Sequence, residues 1–449
     1  MVNSPLGQMR AIVQSLAALT ALLIALPFNL SIVLGALVRR WIWNRPAIPF
    51  AESPKTILLT GGKMTKALQL ARSFHRAGHR VILAETQKYW LTGHQFSNSI
   101  DCFYTIPAPQ KDPDAYIQAL LAIAKQEQVD VYVPVCSPVQ SYYDSLAKSM
   151  LAGACEVFHF DPAVTQMLDD KFAFAEAARA IGLSVPKSYL ITHPQQVLDF
   201  DFSGETHPYI LKSIPYDSVR RLDLTKLPCS TRPETEAFVR SLPISPAKPW
   251  IMQEFIRGQE YCTHSTVRDG ELRLHCCCKS SAFQVNYSSV ENSEIQQWVS
   301  TFVQAYNLSG QASFDFIQSE DGQVYAIECN PRTHSAITMF YNHPGVADAY
   351  LSDEPLAEPL RPLATSKPVY WLYHEIWRLN EVRSLADLRS WWQTLRQGKD
   401  AIFAPDDPLP FLMVHHWQIP LLLLDNLRRR AGWVRIDFNI GKLVELGGD

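Results

Sequence analysis

This sequence lacks a basic excess. Forty-one lysines and arginines stand against 44 acidic residues, for a net charge of −3 at neutral pH. A dedicated nucleic-acid surface needs surplus cations to neutralise phosphates, so nucleic acid is not expected as a partner. The glycine-rich nucleotide fingerprints are missing too: neither G-x-G-x-x-G nor G-x-x-x-x-G-K-[ST] occurs. Nine cysteines include no Cys-x-x-Cys pair. Cys276, Cys277 and Cys278 are adjacent, and in a strand they would alternate faces instead of converging on one ion. They read as reduced thiols of a cytosolic body. Internal repeats and low-complexity tracts are likewise lacking. Hydrophobic residues at 47% of the 449 supply enough core for two or three domains.

One stretch has no charge at all. Ala11 to Val38 is uninterrupted apolar and small polar sequence, long enough to cross a hydrocarbon core of about 30 Å. Arg39, Arg40 and Arg45 follow it with Trp41 and Trp43, whereas only Arg10 precedes it. That asymmetry predicts a membrane anchor over residues 11–38 with a cytoplasmic body behind it. Pro27 and Asn29 admit a kinked or re-entrant course. The Pro-rich stretch from Asn44 to Pro54 reads as a linker.

Beyond the linker the pattern is strand, helix, strand. Thr56 to Gly62 is an apolar run ending in two glycines, Lys66 to Ala77 has helical periodicity, and Arg80 to Ala84 is apolar again. Tyr116 to Gln126 and Val129 to Val135 repeat the alternation, which predicts a small doubly wound parallel α/β domain. The Gly61–Gly62 turn is either a tight strand-to-helix connection or a cradle for substrate. Expected divisions are residues 1–45, 55–160, 161–365 and 366–449. In the last, Ile419 to Leu424 is too short to span a bilayer and reads as a core helix or a membrane-surface helix.

The chemistry concentrates in Ser313 to Arg332. Phe314 and Phe316 flank Asp315, while Val324, Ala326 and Ile327 precede Glu328. Glu320-Asp321-Gly322-Gln323 reads as the turn of a hairpin. Folding it brings Asp315 beside Glu328, and Asn330 shares the face of Glu328. Two carboxylates and an amide oxygen form a hard, all-oxygen site suited to magnesium between the phosphates of ATP.

The string D-F-I…D-G…Y-A-I-E-x-N-P-R resembles the metal and phosphate motif of the ATP-grasp ligases. Other parts of that family's pattern occur upstream in order: Asp170-Lys171 opening a helix, Tyr209-Ile210-Leu211-Lys212 ending a strand, and Trp250 to Glu260 as a hinge. The resemblance implies an ATP-grasp fold of mixed α/β class. A small α/β domain would precede it, with an N-terminal apolar helix and a C-terminal extension at the ends. It implies that Lys171 and Lys212 contact phosphate and that Glu254 and Ile256 offer backbone groups to adenine. Gln253 would face the adenine amino group, Glu260 the ribose hydroxyls, and Arg332 would steady the transferring phosphate. ATP and Mg²⁺ would be the cofactors, with Mn²⁺ as a substitute ion. The sequence departs from the family after Lys212: Ser213 to Leu224 contains no glycine, where many members carry a Gly-rich phosphate loop. Tyr216, Ser218, Arg220 and Arg221 are the side chains available there.

Longer strings, among them KYWLTGHQFSNS, ECNPRTHSAITMFYNHPGVA and WVRIDFNIGKLVELGGD, resemble the cyanobacterial mycosporine-glycine synthase family over nearly the whole chain. Its members join glycine to 4-deoxygadusol. On that resemblance the substrates are a cyclohexenone and an amino acid, and Arg220, Arg221 and His334 are candidates to hold the amino-acid carboxylate. Two other readings use the same residues: a carboxylate–amine ligase, and a membrane-tethered nucleotide-binding module without catalysis.

Overall fold

A computed structural model describes residues 5–42, 51–135, 137, 140–214, 220, 223–280 and 286–445. The apolar N-terminal segment is one helix, α1 (Pro5–Ile42). By length and composition alone it could cross a membrane.

The first domain is a parallel sheet of β1 (Thr56–Leu59), β2 (Arg80–Thr86), β3 (Cys102–Ile106), β4 (Val131–Val133) and β5 (Glu156–Val157), in the order β3-β2-β1-β4-β5. Ile57, Leu58 and Leu59 are all fully buried, as a parallel strand covered on both faces requires. Strand order reverses between β1 and β4, and ligands of open α/β sheets sit outside such switch points. The strand expected over Val129–Val135 is shorter. The backbone N–H of Val135 leaves the ladder and donates to the Thr60 hydroxyl at 3.2 Å.

After β1 the chain turns at Gly61 (φ +72°), where a Cβ would lie 2.0 Å from the Val135 carbonyl oxygen. Only glycine fits there. Helix α2 (Thr65–Arg76) follows. Its apolar stripe is where the periodicity placed it, but its polar face is buried as well: Lys66, Gln69 and Arg72 are each under 10% exposed. The cover comes from the far end of the chain. Arg72 Nε donates to Asp407 Oδ2 at 2.8 Å, Trp371 Nε1 to Thr65 Oγ1 at 3.0 Å, and Thr65 N to the Asn439 carbonyl at 2.9 Å. Gln418 reaches Thr92, Gly93 and the Gly441 carbonyl. The C-terminal extension therefore folds back onto the first domain and shares its core, in which Leu59, Phe74, Val414, Ile419 and Trp433 belong to one cluster.

Helix α3 (Pro113–Gln126), with Asp112 capping Ala115 N, and helix α4 (Ser141–Leu151) lie on the sheet's other face. Helices α5 (Pro162–Asp169) and α6 (Lys171–Ala180) then lead to two antiparallel sheets. One has the three strands Ser188–Ile191, Trp250–Glu254 and Tyr209–Ser213; the other has five, including Gly258–Arg268, Gly310–Ser319 and Val324–Asn330. Cys102, Cys155, Cys229 and Cys329 are free thiols. Cys276, Cys277 and Cys278 are free thiols on one strand.

Several histidines are locked in these cores as neutral rings. Burial drives His94 and His159 down to about 4 and His415 to about 3, even though each bonds a backbone carbonyl. Their native values lie below the unfolded value near 6.5, so their stabilising contribution is complete above pH ~6.5 and disappears as pH falls toward 4. At pH 5 each such histidine costs about 2 kcal/mol. Three together approach the whole stability of a domain. The melting temperature is therefore expected to fall steeply between pH 7 and 5; a flat profile by scanning fluorimetry would show that these rings are not buried neutral.

Candidate active site

The hairpin joins Asp315 and Glu328 directly. The two are register partners, as are Ser313 and Asn330, and the ladder slips by one residue just after Asp315. Asn330 Nδ2 faces Glu328 Oε1 at 3.5 Å. Beyond the strand, Arg332 folds back so that Nη2 donates to Asn330 Oδ1 at 2.6 Å. The anticipated cluster of acid, acid, amide and arginine is assembled within one hairpin and the loop that leaves it.

Both lysines arrive from other elements. Asp170 caps α6 by accepting from Phe172 N and Ala173 N. This fixes the helix start and sends the Lys171 ammonium to Glu328 Oε2 at 3.6 Å. Lys212, at the end of its strand, donates to Gln253 Oε1 at 3.1 Å, and Gln253 Nε2 points at the Ile327 carbonyl at 3.5 Å. Gln253 thus ties the two antiparallel sheets together. Burial pushes the Lys212 ammonium below its ordinary value despite the nearby charges of Glu328, Asp315 and Glu260. Lys171, Lys212, Asp315, Glu328 and Arg332 therefore lie within electrostatic reach of one another.

The electrostatics of the pair test the metal expectation. Burial, then the charge of Glu328, pushes Asp315 well above the carboxylate range. Burial opposes ionisation of Glu328 as well, yet Lys171, Lys212 and Arg332 outweigh it and hold Glu328 below its ordinary value. Two carboxylates pressed together in register cannot both ionise without a cation, and hard oxygen donors suit magnesium or manganese. The residues fit such an ion. Among the described residues no group of three His, Cys, Asp or Glu could hold a metal. A third protein ligand would have to be the Asn330 oxygen, with phosphate and water completing the shell.

The hinge has one informative feature. Glu254 N donates to the Lys187 carbonyl and Phe255 N to the Pro208 carbonyl. The N–H of Ile256, a residue 5% exposed, has no partner among the described residues. A backbone donor without a partner among the described residues invites an acceptor from a ligand, such as a ring nitrogen of adenine. The Glu254 carboxylate is occupied by His207 and Lys187 N. Glu260 is exposed.

The candidate carboxylate-binding residues are less uniform. His334 packs edge-on against Tyr287 and accepts from Ala336 N at 3.3 Å. Burial, then Lys66 and Arg332, drive it to about 3, so it offers a neutral ring, not a cation. Arg220 is half-buried. Tyr216, Ser218 and Arg221 lie outside the described residues. Cys329 is buried among apolar side chains, which pushes its thiol up.

Sequence reasoning missed how the first domain and the C-terminal extension grip the loop after Asn330. Lys66 Nζ donates to the Thr333 carbonyl at 2.6 Å, Ser141 Oγ to the Pro331 carbonyl at 2.6 Å, and Asn439 Nδ2 to Ser335 Oγ at 2.8 Å. Asp169 is also within electrostatic reach of Arg332, Lys171 and Glu328. No local signal marks these residues, because their partners are up to 267 positions away.

A small α/β domain, a hinge, and two antiparallel sheets enclosing lysines and paired acids define the ATP-grasp fold, and the chain has that fold. No family model and no curated protein matches the sequence. Solved structures do match. An N5-carboxyaminoimidazole synthase from Aspergillus clavatus, in complex with ADP and 5-aminoimidazole ribonucleotide, is similar at a TM-score of 0.52 with 13% identity, over 70% of this chain and 80% of that one. The biotin carboxylase domain of the Hydrogenobacter thermophilus 2-oxoglutarate carboxylase, with MgADP, ADP and bicarbonate, is similar at 0.51 and 13%, over 69% and 72%. A biotin carboxylase–ATP complex from Campylobacter jejuni is similar at 0.51 and 14%, over 66% and 72%.

Proposed function

We propose that this chain is an ADP-forming ATP-grasp ligase that phosphorylates an acid-like oxygen and joins an amine to the activated carbon. The observation that carries this reading is the convergence of Lys171, Lys212 and Arg332 on the paired Asp315 and Glu328. The two lysines and the arginine neutralise the transferring phosphoryl group, where a fixed cation acts most strongly. Asp315, Glu328 and Asn330 would hold magnesium, which supplies charge neutralisation between the phosphates. The acceptor oxygen attacks the γ-phosphorus and the bond to the β-bridging oxygen breaks, releasing ADP. The amine nitrogen then adds to the acceptor carbon. It loses a proton, and the carbon–oxygen bond breaks to release phosphate. In its coarser form the proposal is a carboxylate–amine ligase. The presence of ADP, magnesium and bicarbonate in structures of this fold supports that form.

The finer proposal rests on the long sequence strings that resemble the mycosporine-glycine synthases. The acceptor is then 4-deoxygadusol, whose enol oxygen is conjugated to a carbonyl and behaves as a vinylogous carboxylic acid, and glycine is the amine. The acceptor would lie beside Arg332. Mass spectrometry of products from purified protein supplied with ATP, magnesium, 4-deoxygadusol and mixed amino acids tests both levels. Mycosporine-glycine is the expected product. Amide products from carboxylic acids alone would keep the coarser reading and discard the finer one.

The order of steps has its own signature. Acceptor carrying ¹⁸O at the enol oxygen is expected to yield ¹⁸O-phosphate together with ADP. Unlabelled phosphate, or AMP with pyrophosphate, would mean that the acceptor oxygen is not phosphorylated.

A further inference from the structure

The outer face of α1 plays no part in the chemistry above. Its buried positions, Ala11, Ser15, Leu22, Asn29, Val33 and Ala36, recur at three-, four- and seven-residue steps and form one line along the helix. Polar pins fasten that line to the C-terminal extension. Ser15 Oγ accepts from Trp433 Nε1 at 2.9 Å. Asn29 Nδ2 donates to the Tyr373 hydroxyl at 2.6 Å and to His416 Nε2 at 2.7 Å. Arg40 donates to the Asp406 carbonyl at 2.9 Å. Ser15 to Arg40 spans ~37 Å of helix, more than the ~30 Å hydrocarbon thickness. The body grips the helix at both ends of that span and in its middle. A crossing helix would have to draw the charged body into the bilayer with it.

The opposite face bears Val13, Leu16, Ile24, Phe28, Leu34 and Val38, all exposed. No acidic residue occurs anywhere in α1. Exposed tryptophans occur on α1 and on the segments that hold it: Trp41 is on α1 itself, Trp417 is next in sequence to His416, and Trp377 is four residues beyond Tyr373. Arg10 and Arg39 mark the two ends. Arg428 and Arg430 stand at the end of the helix Ile419–Arg429, which packs along α1, while Arg429 is paired with Asp425 and Glu445. An uncharged apolar centre with an indole and arginine rim matches an anionic membrane interface. A second copy would bring the same arginines and no acidic partner for them on α1.

We propose that α1 lies in the plane of an anionic bilayer surface, docked on the C-terminal extension, with both of its ends on the side of the catalytic body. Full-length protein is expected to co-sediment with phosphatidylglycerol-containing vesicles and much more weakly with purely zwitterionic ones. The outward-facing double variant Ile24→Glu, Phe28→Glu is expected to lose at least ~10-fold of that binding while retaining wild-type ATP turnover. A fluorophore on the N-terminus is expected to stay accessible to an impermeant external quencher when the protein is vesicle-bound. Protection of the fluorophore would overturn the proposal in favour of a crossing helix. Failure of the wild type to bind vesicles would also overturn it, and so would self-association abolished by the double variant without any vesicle binding.

Discussion

Replacing Glu328 with glutamine is expected to leave a folded protein whose ATP turnover falls by at least ~10²–10³-fold, the scale set by removing one preorganised charge from a water-poor site. The substitution keeps shape and hydrogen-bonding capacity but deletes the charge facing Lys171, and it leaves Asp315 as the only carboxylate of the pair. The side chain is 28% exposed, so its loss should cost little stability. Removing it also frees Lys171 from its ion pair, and nucleotide binding through the lysines is expected to persist. Turnover by this variant at the wild-type rate in saturating magnesium would remove Glu328 from the site. Weakened nucleotide binding with normal turnover would make it a binding residue only.

Replacing Asp407 with alanine is expected to produce the largest loss of stability outside the apolar cores. Its carboxylate accepts from Arg72 Nε, Ser97 Oγ and Asn98 N, and its carbonyl accepts from Arg72 Nη2. Arg72 and Asp407 are each 3% exposed at the side chain. Removing one member strands the other charge without water, at about 3–5 kcal/mol. Replacing both with apolar residues of similar size is often close to neutral. The melting temperature of Asp407→Ala should therefore fall by several degrees, and the double variant Arg72→Met, Asp407→Leu should recover most of it. Equal stability of Asp407→Ala and wild type would show that the C-terminal extension is held by apolar contact alone. A double variant as unstable as the single would assign the loss to Ser97 and Asn98 instead.

What the sequence determined by itself was local. Apolar runs marked β1 and β2, helical periodicity marked α2, and the run Glu320 to Gln323 placed a turn that sets Asp315 against Glu328. That pairing was readable because a hairpin is closed by neighbours in the chain, and the two-residue period of a strand decides which side chains share a face. The order of the lysine-bearing elements was legible through the resemblance to the ATP-grasp pattern, and the structure adds that Asp170 caps the helix that Lys171 opens.

The tertiary structure decided what depends on remote parts of the chain. The polar side of α2 is buried because remote segments cover it: Lys66 donates to the Thr333 carbonyl, 267 positions away, and Arg72 to Asp407, 335 positions away. The loop carrying Arg332 is held by Lys66, Ser141 and Asn439, three residues from three segments with no shared motif. The packing of α1 was decided the same way. Its composition is that of a spanning helix and does not say which parts of the chain touch it. Ser15, Asn29 and Arg40 meet the C-terminal extension through Trp433, Tyr373, His416 and Asp406, because a buried polar group is stable where its hydrogen bond is made.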